Sequence, residues 1–232
     1  MTLTVGSLFS GIGGLDLGLE RAGMKVIWQS EIDPFACKVL EKHWPGVPNH
    51  GDIKRINWDT VERPDIICGG YPCQPFSCAG QRNGTNDPRH LWPWVRESIS
   101  RLQPRYAILE NVRGHLTLGG LQVIGELAEI GYDAEWRIVP ASGVGARHQR
   151  ERIIIVAYPS GIRGAGWWSA FESGHAEARQ HALRSAEYWK DEPAVGRMAD
   201  GVSNRMDRLR GLGNAVVPQV GEYIGRLITT IG

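Results

Sequence analysis

The chain has 232 residues, 42% of them apolar, and 26 Lys or Arg against 25 Asp or Glu leave a formal net charge of +1. That is a soluble, globular composition with enough apolar material for a full core in one domain, and so small a charge argues neither for nor against a nucleic-acid partner. No run of about 18 apolar residues could cross a bilayer, and MTLTVGSLFSG lacks the basic start and small-residue cleavage site of a secretory signal, so a cytoplasmic enzyme or binding protein is expected.

Short β-rich runs alternate with helical patterns from the N-terminus onward. TVGSLFS is followed by LDLGLERAG, KVIWQSE by DPFACKVLEKHW, and PDIICGG, after a loop, by LWPWVRESISRLQ; YAILENV then precedes GGLQVIGELAEIG. This alternation predicts βαβ units on a parallel sheet. DAEWRIVPA and RIIIVAY follow with no helix between them, so the sheet is expected to end in a hairpin-like antiparallel edge. The fold class is therefore α/β, an open, doubly wound, mostly parallel sheet of Rossmann-like type. From Pro159 to Asn204 no period persists: Gly, Ser, Ala, Arg and His dominate around Trp167, Trp168, Phe171 and Trp189, which predicts a loop-rich insertion. GLGNAVVPQVGEYIGRLITTI then reads as a turn and an amphipathic helix with Val220, Ile224, Leu227 and Ile228 on one face. The expected organisation is residues 1–158 as the main domain, 159–204 as an inserted segment and 205–232 as a returning turn and helix.

In such sheets ligands sit beyond the carboxyl ends of the strands, so each loop after a strand is a candidate. FSGIGG, residues 9–14, brings glycines to a strand-to-helix turn, where the backbone can approach a nucleotide-like cofactor closely; a purely structural tight turn explains it as well. Glu31, about 20 residues on at the end of the second strand, can accept hydrogen bonds from both ribose hydroxyls. Asp52 of GDI ends a third unit, where an adenine amine could donate to it. Together the three turns point to an adenosyl cofactor.

The cysteines are Cys37, Cys68, Cys73 and Cys78. Their spacing is unlike the close pairs of structural zinc, a reducing cytosol disfavours disulfides, and Cys68 in its apolar run reads as core. Cys73 lies between Pro72 and Pro75, which fix φ on both sides. The loop reads either as a buried cysteine in a proline-rich turn or as a rigid mount for a nucleophile. Glu110 ends the apolar run YAILENV, where burial would raise its pKa towards a value useful for donating a proton; a capping or salt-bridging acid is the alternative. In RHQRERIII, period two puts Arg150 and Arg152 on one face, with forked donors for phosphate or carbonyl oxygens.

FSGIGG with LDLGLERAG, SEID, GDI, PCQPFSCAG, ENV, RERI and GNAVVP stand in one order over about four fifths of the chain, and that order resembles the DNA cytosine methyltransferases that make 5-methylcytosine with S-adenosylmethionine. The nearest flavour is the compact methylases of phages and prophages, acting in a bacterial cell or an infected host in restriction-modification or protection. The resemblance puts the nucleophile on Cys73, flanked by Pro72 and Gln74, with Glu110, Arg150 and Arg152 completing the catalytic set. It puts cofactor contacts on Phe9, Gly11, Gly13, Gly14, Glu31, Ile32, Asp52, Ile53, Asn214, Ala215 and Val216. It implies that the Cys73 thiolate adds to carbon 6 of a flipped-out cytosine while Glu110 holds or protonates N3, so that carbon 5 can take the methyl group.

Double-stranded DNA is the implied partner of a monomeric enzyme, with no membrane and no metal. By location, Gln81 or Arg82 would fill the gap left by the flipped base, and Trp167, Trp168 and Arg179 of the inserted segment would touch DNA. Ala141 to Gly232 holds 12 basic against 9 acidic residues and the rest 14 against 16, a mild bias that suits a polyanion or merely a solvated face. Three departures stand out. His148 falls where the family often has Gln, the Arg-Glu motif usual before GNAVVP is not recognisable, and a recognition region of about 45 residues is far smaller than usual. An RNA cytosine methylase of the same superfamily, or a catalytically silent DNA-binding relative, are the competing readings.

Overall fold

The computed structural model describes residues 1–72, 91–117, 119–161, 211 and 215–231. Six strands form one sheet among them: β1 (Thr4–Leu8), β2 (Lys25–Ser30), β3 (Ile66–Gly69), β4 (Tyr106–Val112), β5 (Tyr132–Val139) and β6 (Arg152–Pro159), in the order β2-β1-β3-β4-β6-β5. Pairs β1/β2, β1/β3 and β3/β4 are parallel, whereas β6 runs antiparallel to both neighbours. The predicted alternation therefore holds. The antiparallel edge is also found, but β6 inserts between β4 and β5 instead of lying outside them, because its apolar run Ile153–Ala157 is buried throughout and needs cover on both sides.

Alternate residues of each strand face two separate cores. Val5, Ile66, Cys68, Ile108, Ile154 and Val156 pack with Leu15 and Leu19 of α1 (Gly14–Arg21) and with α5 (Pro218–Ile231). Leu8, Ile67, Leu109, Ile153 and Ile155 pack with Val95, Ile99 and Leu102 of α3 (Trp92–Leu102) and with Val123 and Leu127 of α4 (Gly120–Glu129). Helices on both faces make the sheet doubly wound, with Cys68 in the core as expected. The predicted face of the last helix is the buried one: Val220, Ile224, Leu227 and Ile228 are at most 2% exposed, each worth roughly 1.5–3 kcal/mol on burial. That packing brings the segment before α5 against the start of α1. A Cβ on Gly14 would lie 2.2 Å from the Val216 carbonyl oxygen, so only glycine admits the approach.

α2 (Pro34–His43) opens on a Pro at its first turn, with the Asp33 carboxylate capping the Phe35 and Ala36 amides. One expectation fails here. GDI does not end a third strand, since the chain beside β2 forms only a single bridge, Asn49 to Gln29. Pro45 and Pro48 precede the bridge and supply no amide hydrogens, so the ladder cannot extend towards the N-terminus. Asp52 instead caps a short 3-10 turn, Ile53–Arg55, accepting from the Lys54 amide at 3.0 Å.

Candidate active site

The carboxyl ends of β1 to β4 open into one cleft of about 890 Å³. Among the residues singled out from sequence, Phe9, Gly11, Gly14, Glu31, Ile32, Asp52, Ile53, Pro72, Glu110, Arg152, Ala215 and Val216 line it. Gly13 sits in the same turn without lining the cleft; Arg150 adjoins it. Cys73, Gln74, Gln81, Arg82, Trp167, Trp168, Arg179 and Asn214 lie outside the described residues.

The turn after β1 is built on left-handed backbone: φ is 51° at Phe9, 56° at Gly11 and 79° at Gly13. Glycine takes this region without cost, whereas Phe9 must be held there by its packing beside the second core. The turn is tied to β2 by the Glu31 carboxylate, whose Oε2 accepts from the Gly11 amide at 2.7 Å while Oε1 accepts from the Ile32 and Asp33 amides at 2.8 Å each. A carboxylate offers about four acceptor positions, and three are taken. Receiving both hydroxyls of a ribose therefore requires one of those amides to let go.

Beneath this turn is a group that sequence reasoning missed. Asp16, in the first turn of α1, is fully buried and accepts from Ser7 Oγ at 2.6 Å and from Gln29 Nε2 at 2.7 Å. Ser10 Oγ donates to Ser7 Oγ at 2.9 Å, so one polar chain links β1, the glycine turn, α1 and β2. Burial pushes the Asp16 carboxyl up to about 6 against the pull of its two hydrogen bonds, and Glu20 adds to the rise. In sequence it looked like an ordinary acid at a helix start; only the polar Ser7 in an apolar strand hinted at a buried partner.

At the other strands the cleft is lined by buried charge. Glu110 is 8% exposed and its Oε1 is 2.8 Å from Nε of Arg152. The contact follows from register: Arg152 pairs with Val112, two residues along the same face of β4 from Glu110. Burial raises the Glu110 carboxyl above its ordinary value, opposed by the positive charges of Arg152 and Arg150. Period two is not what aims Arg150. That residue precedes β6 with φ 34°, a left-handed conformation that breaks the alternation, and its guanidinium donates to the Ala215 carbonyl at 2.7 Å. It ties the C-terminal segment to the Glu110 site.

The residues before Pro72 are fixed from below. A Cβ on Gly70 would lie 2.6 Å from Glu110 Oε2, so this glycine makes room for the carboxylate. Asn111 Nδ2 donates to the Tyr71 carbonyl at 3.0 Å, and the Tyr71 hydroxyl meets His115 Nε2 at 2.6 Å. Burial pushes the His115 imidazole down to about 4, so it is neutral near pH 7. His148, the residue in the unusual slot, lies between the Pro140–Gly145 turn and Arg150, with its ring partly buried.

A glycine turn, a carboxylate at the end of β2 and a buried Glu–Arg pair thus face one cleft. The sequence model of the C-5 cytosine-specific DNA methylases matches residues 3–190. Type II methyltransferase M.BsuFI of Bacillus subtilis is 35% identical over 161 residues, 67% of this chain and 39% of that protein. Type II methyltransferase M.FnuDI of Fusobacterium nucleatum is 36% identical over 158 residues, 66% and 46% of the two chains. The chain thus spans well under two thirds of the relatives it matches. Among solved structures, a protein encoded within prophage Cp of E. coli and ascribed to DNA modification methyltransferases superposes with a TM-score of 0.58 at 28% identity, over 70% of this chain and 48% of that one. A DNMT2 mutant from Spodoptera frugiperda reaches 0.60 at 23% identity over 70% and 51%, a likeness of fold. With that family's model matching residues 3–190, the chain belongs to the C-5 cytosine-specific DNA methylase family.

Proposed function

We propose that the protein transfers a methyl group from S-adenosylmethionine to carbon 5 of a cytosine flipped out of double-stranded DNA, through a covalent adduct on Cys73. The observation that carries this reading is the Glu110–Arg152 pair at 2.8 Å inside the cleft that Pro72, the residue preceding Cys73, also lines. The cleft suits the cofactor by its donor and acceptor set. Positive-φ glycines let a ligand approach the backbone, Glu31 has one free acceptor position and gains a second if one of its three amides lets go, and Asp52 and Ile53 line the same wall. When bound, S-adenosylmethionine supplies an electrophilic methyl group.

The chain's own residues do the rest. The Cys73 sulfur adds to carbon 6 as Glu110 gives its proton to N3, which leaves carbon 5 electron-rich. Burial supports Glu110 in that role, because it raises the carboxyl above its ordinary value while Arg152 and Arg150 oppose the rise. Arg152 aligns Glu110 and offers its remaining donors to the base. After carbon 5 takes the methyl group, a base removes its hydrogen, the Cys73–carbon 6 bond breaks, and N3 returns its proton to Glu110. Gln74, Gln81 and Arg82 belong to the loop that would close on DNA, and residues 159–204, with Trp167, Trp168 and Arg179, to the recognition segment; Asn214 would join Ala215 and Val216 at the cofactor. Trp136, exposed on the edge strand β5, has no part in this scheme.

Methylation sequencing of plasmid DNA from cells expressing the protein tests the reading. A short recurrent motif carrying 5-methylcytosine, two to four base pairs by the contacts so small a segment can make, is the expected result. Unmodified DNA with 5-methylcytosine in RNA would redirect the activity to RNA, and no modification in either would contradict it.

A further inference from the structure

Asn49 belongs to no motif of the family's set, yet it makes four hydrogen bonds at the point where the Glu31 and Asp52 turns come together. Its Oδ1 accepts from the amides of Glu31 and Gly51, both at 3.0 Å, and its Nδ2 donates to the Glu31 carbonyl at 3.1 Å and to Cys37 Sγ at 3.3 Å. The orientation of the amide is fixed by its partners, since two are backbone donors and one is a backbone carbonyl; the flipped amide would face donor with donor. All four acceptor and donor positions of the side chain are used. Main-chain bonds bring this stretch alongside β2, from the Gln29 amide to Pro48 and from the His50 amide to Gln29, but that bridge ends at His50. Beyond it, Asn49 and the Ser30 hydroxyl, which donates to the Gly51 carbonyl at 2.7 Å, set how far Gly51 and Asp52 stand from Glu31.

We infer that Asn49 is a positioning residue of the cofactor cleft, holding the Glu31 backbone and the Gly51–Asp52 turn at one separation so that both can grip the same adenosyl group. The inference rests on the proposed reading of the cleft. Asn49 itself does not line it and acts only through the two turns. Because Asn49 is exposed, water can replace its bonds to the separate backbone groups, and deletion therefore costs little in folding; water cannot hold two turns in register, so the cost falls on binding.

Calorimetric titration with S-adenosylmethionine and with S-adenosylhomocysteine, alongside thermal unfolding, tests this on the full chain. Asn49→Ala is expected to weaken both ligands alike by roughly 10- to 100-fold, the range that outer-shell partners of ligating groups carry. Its unfolding midpoint should stay within about 2 °C of wild type. Asn49→Asp keeps the acceptors, loses both donors and sets a charge beside Glu31, so it should bind no better than the alanine variant. Wild-type affinity in Asn49→Ala together with weakened binding in Glu31→Ala would overturn the inference alone. Wild-type affinity in both variants would overturn the reading of the cleft, and a midpoint that falls steeply with affinity would make Asn49 a merely structural residue.

Discussion

Glu31, just past β2, and Glu110, on β4, line the same cleft from parallel strands with β1 and β3 between them, and their surroundings have little in common. Around Glu31 stand three backbone amides, from Gly11, Ile32 and Asp33, on a turn open to solvent. Around Glu110 stand the guanidiniums of Arg152 and Arg150, with Gly70 leaving room for its carboxylate. Amides aimed at a carboxylate orient an acceptor. Burial with an adjoining cation gives a group whose proton affinity is raised by one influence and lowered by the other, and so can be moved by a substrate. On the proposed function, one end of the cleft holds the cofactor and the other transfers the proton.

Mutations should separate the two ends in kind. The largest effect is expected at Glu110: Glu110→Gln keeps shape and hydrogen bonding but cannot exchange a proton, and turnover should fall by about 10²- to 10⁴-fold, with affinities for DNA and S-adenosylmethionine near wild type. Arg152→Ala should likewise cost far more in kcat than in DNA affinity, because it leaves Glu110 buried without its ion-pair partner and removes a donor to the base. At the other end the split reverses. Glu31→Ala and Asp52→Ala should weaken S-adenosylmethionine binding in calorimetry, by on the order of tenfold or more for loss of a charged hydrogen bond, and leave kcat at saturating cofactor little changed. A loss of kcat in Glu31→Ala equal to that in Glu110→Gln would erase the distinction.

The smallest effect concerns stability beneath the glycine turn. The Asp16 carboxyl rises from 3.8 to about 6 on folding, so the folded state binds its proton more tightly than the unfolded state. The resulting stability is fully present below about pH 4 and is lost as pH climbs through 6, a change of at most about 3 kcal/mol for one group. Asp16→Asn should abolish that contribution. Denaturant unfolding at pH 4 and pH 7 checks it: wild type should lose more stability over this interval than the variant.

Much of this was legible in the chain because strands buried on both faces, parallel or not, read as apolar runs, and the residues that end such runs stand out. PDIICGG, YAILENV and RIIIVAY all became strands, and Glu110 was conspicuous as an acid in an apolar stretch. The order β4-β6-β5 was not legible, since nothing local distinguishes a strand that slots between two others from one that adds outside them. Nor was the left-handed Arg150, where strand alternation was extended one residue too far. Asn49 and Asp16 were hidden for a related reason: an Asn in a turn and an Asp at a helix start are ordinary by local rules, and their partners lie 18 and 13 residues away.

Cys73 is proposed to attack the base while Glu110 serves its N3, and a mechanism-based substrate tests this most directly. Duplex DNA carrying 5-fluorocytosine within the methylated motif cannot lose fluorine as a proton, so with S-adenosylmethionine present the enzyme should stay covalently attached. Peptide mass spectrometry should locate the bond on Cys73, Cys73→Ser should form no adduct, and Glu110→Gln should form it far more slowly. An adduct that persists in Cys73→Ser, carried by Cys78 or another residue, would contradict the account.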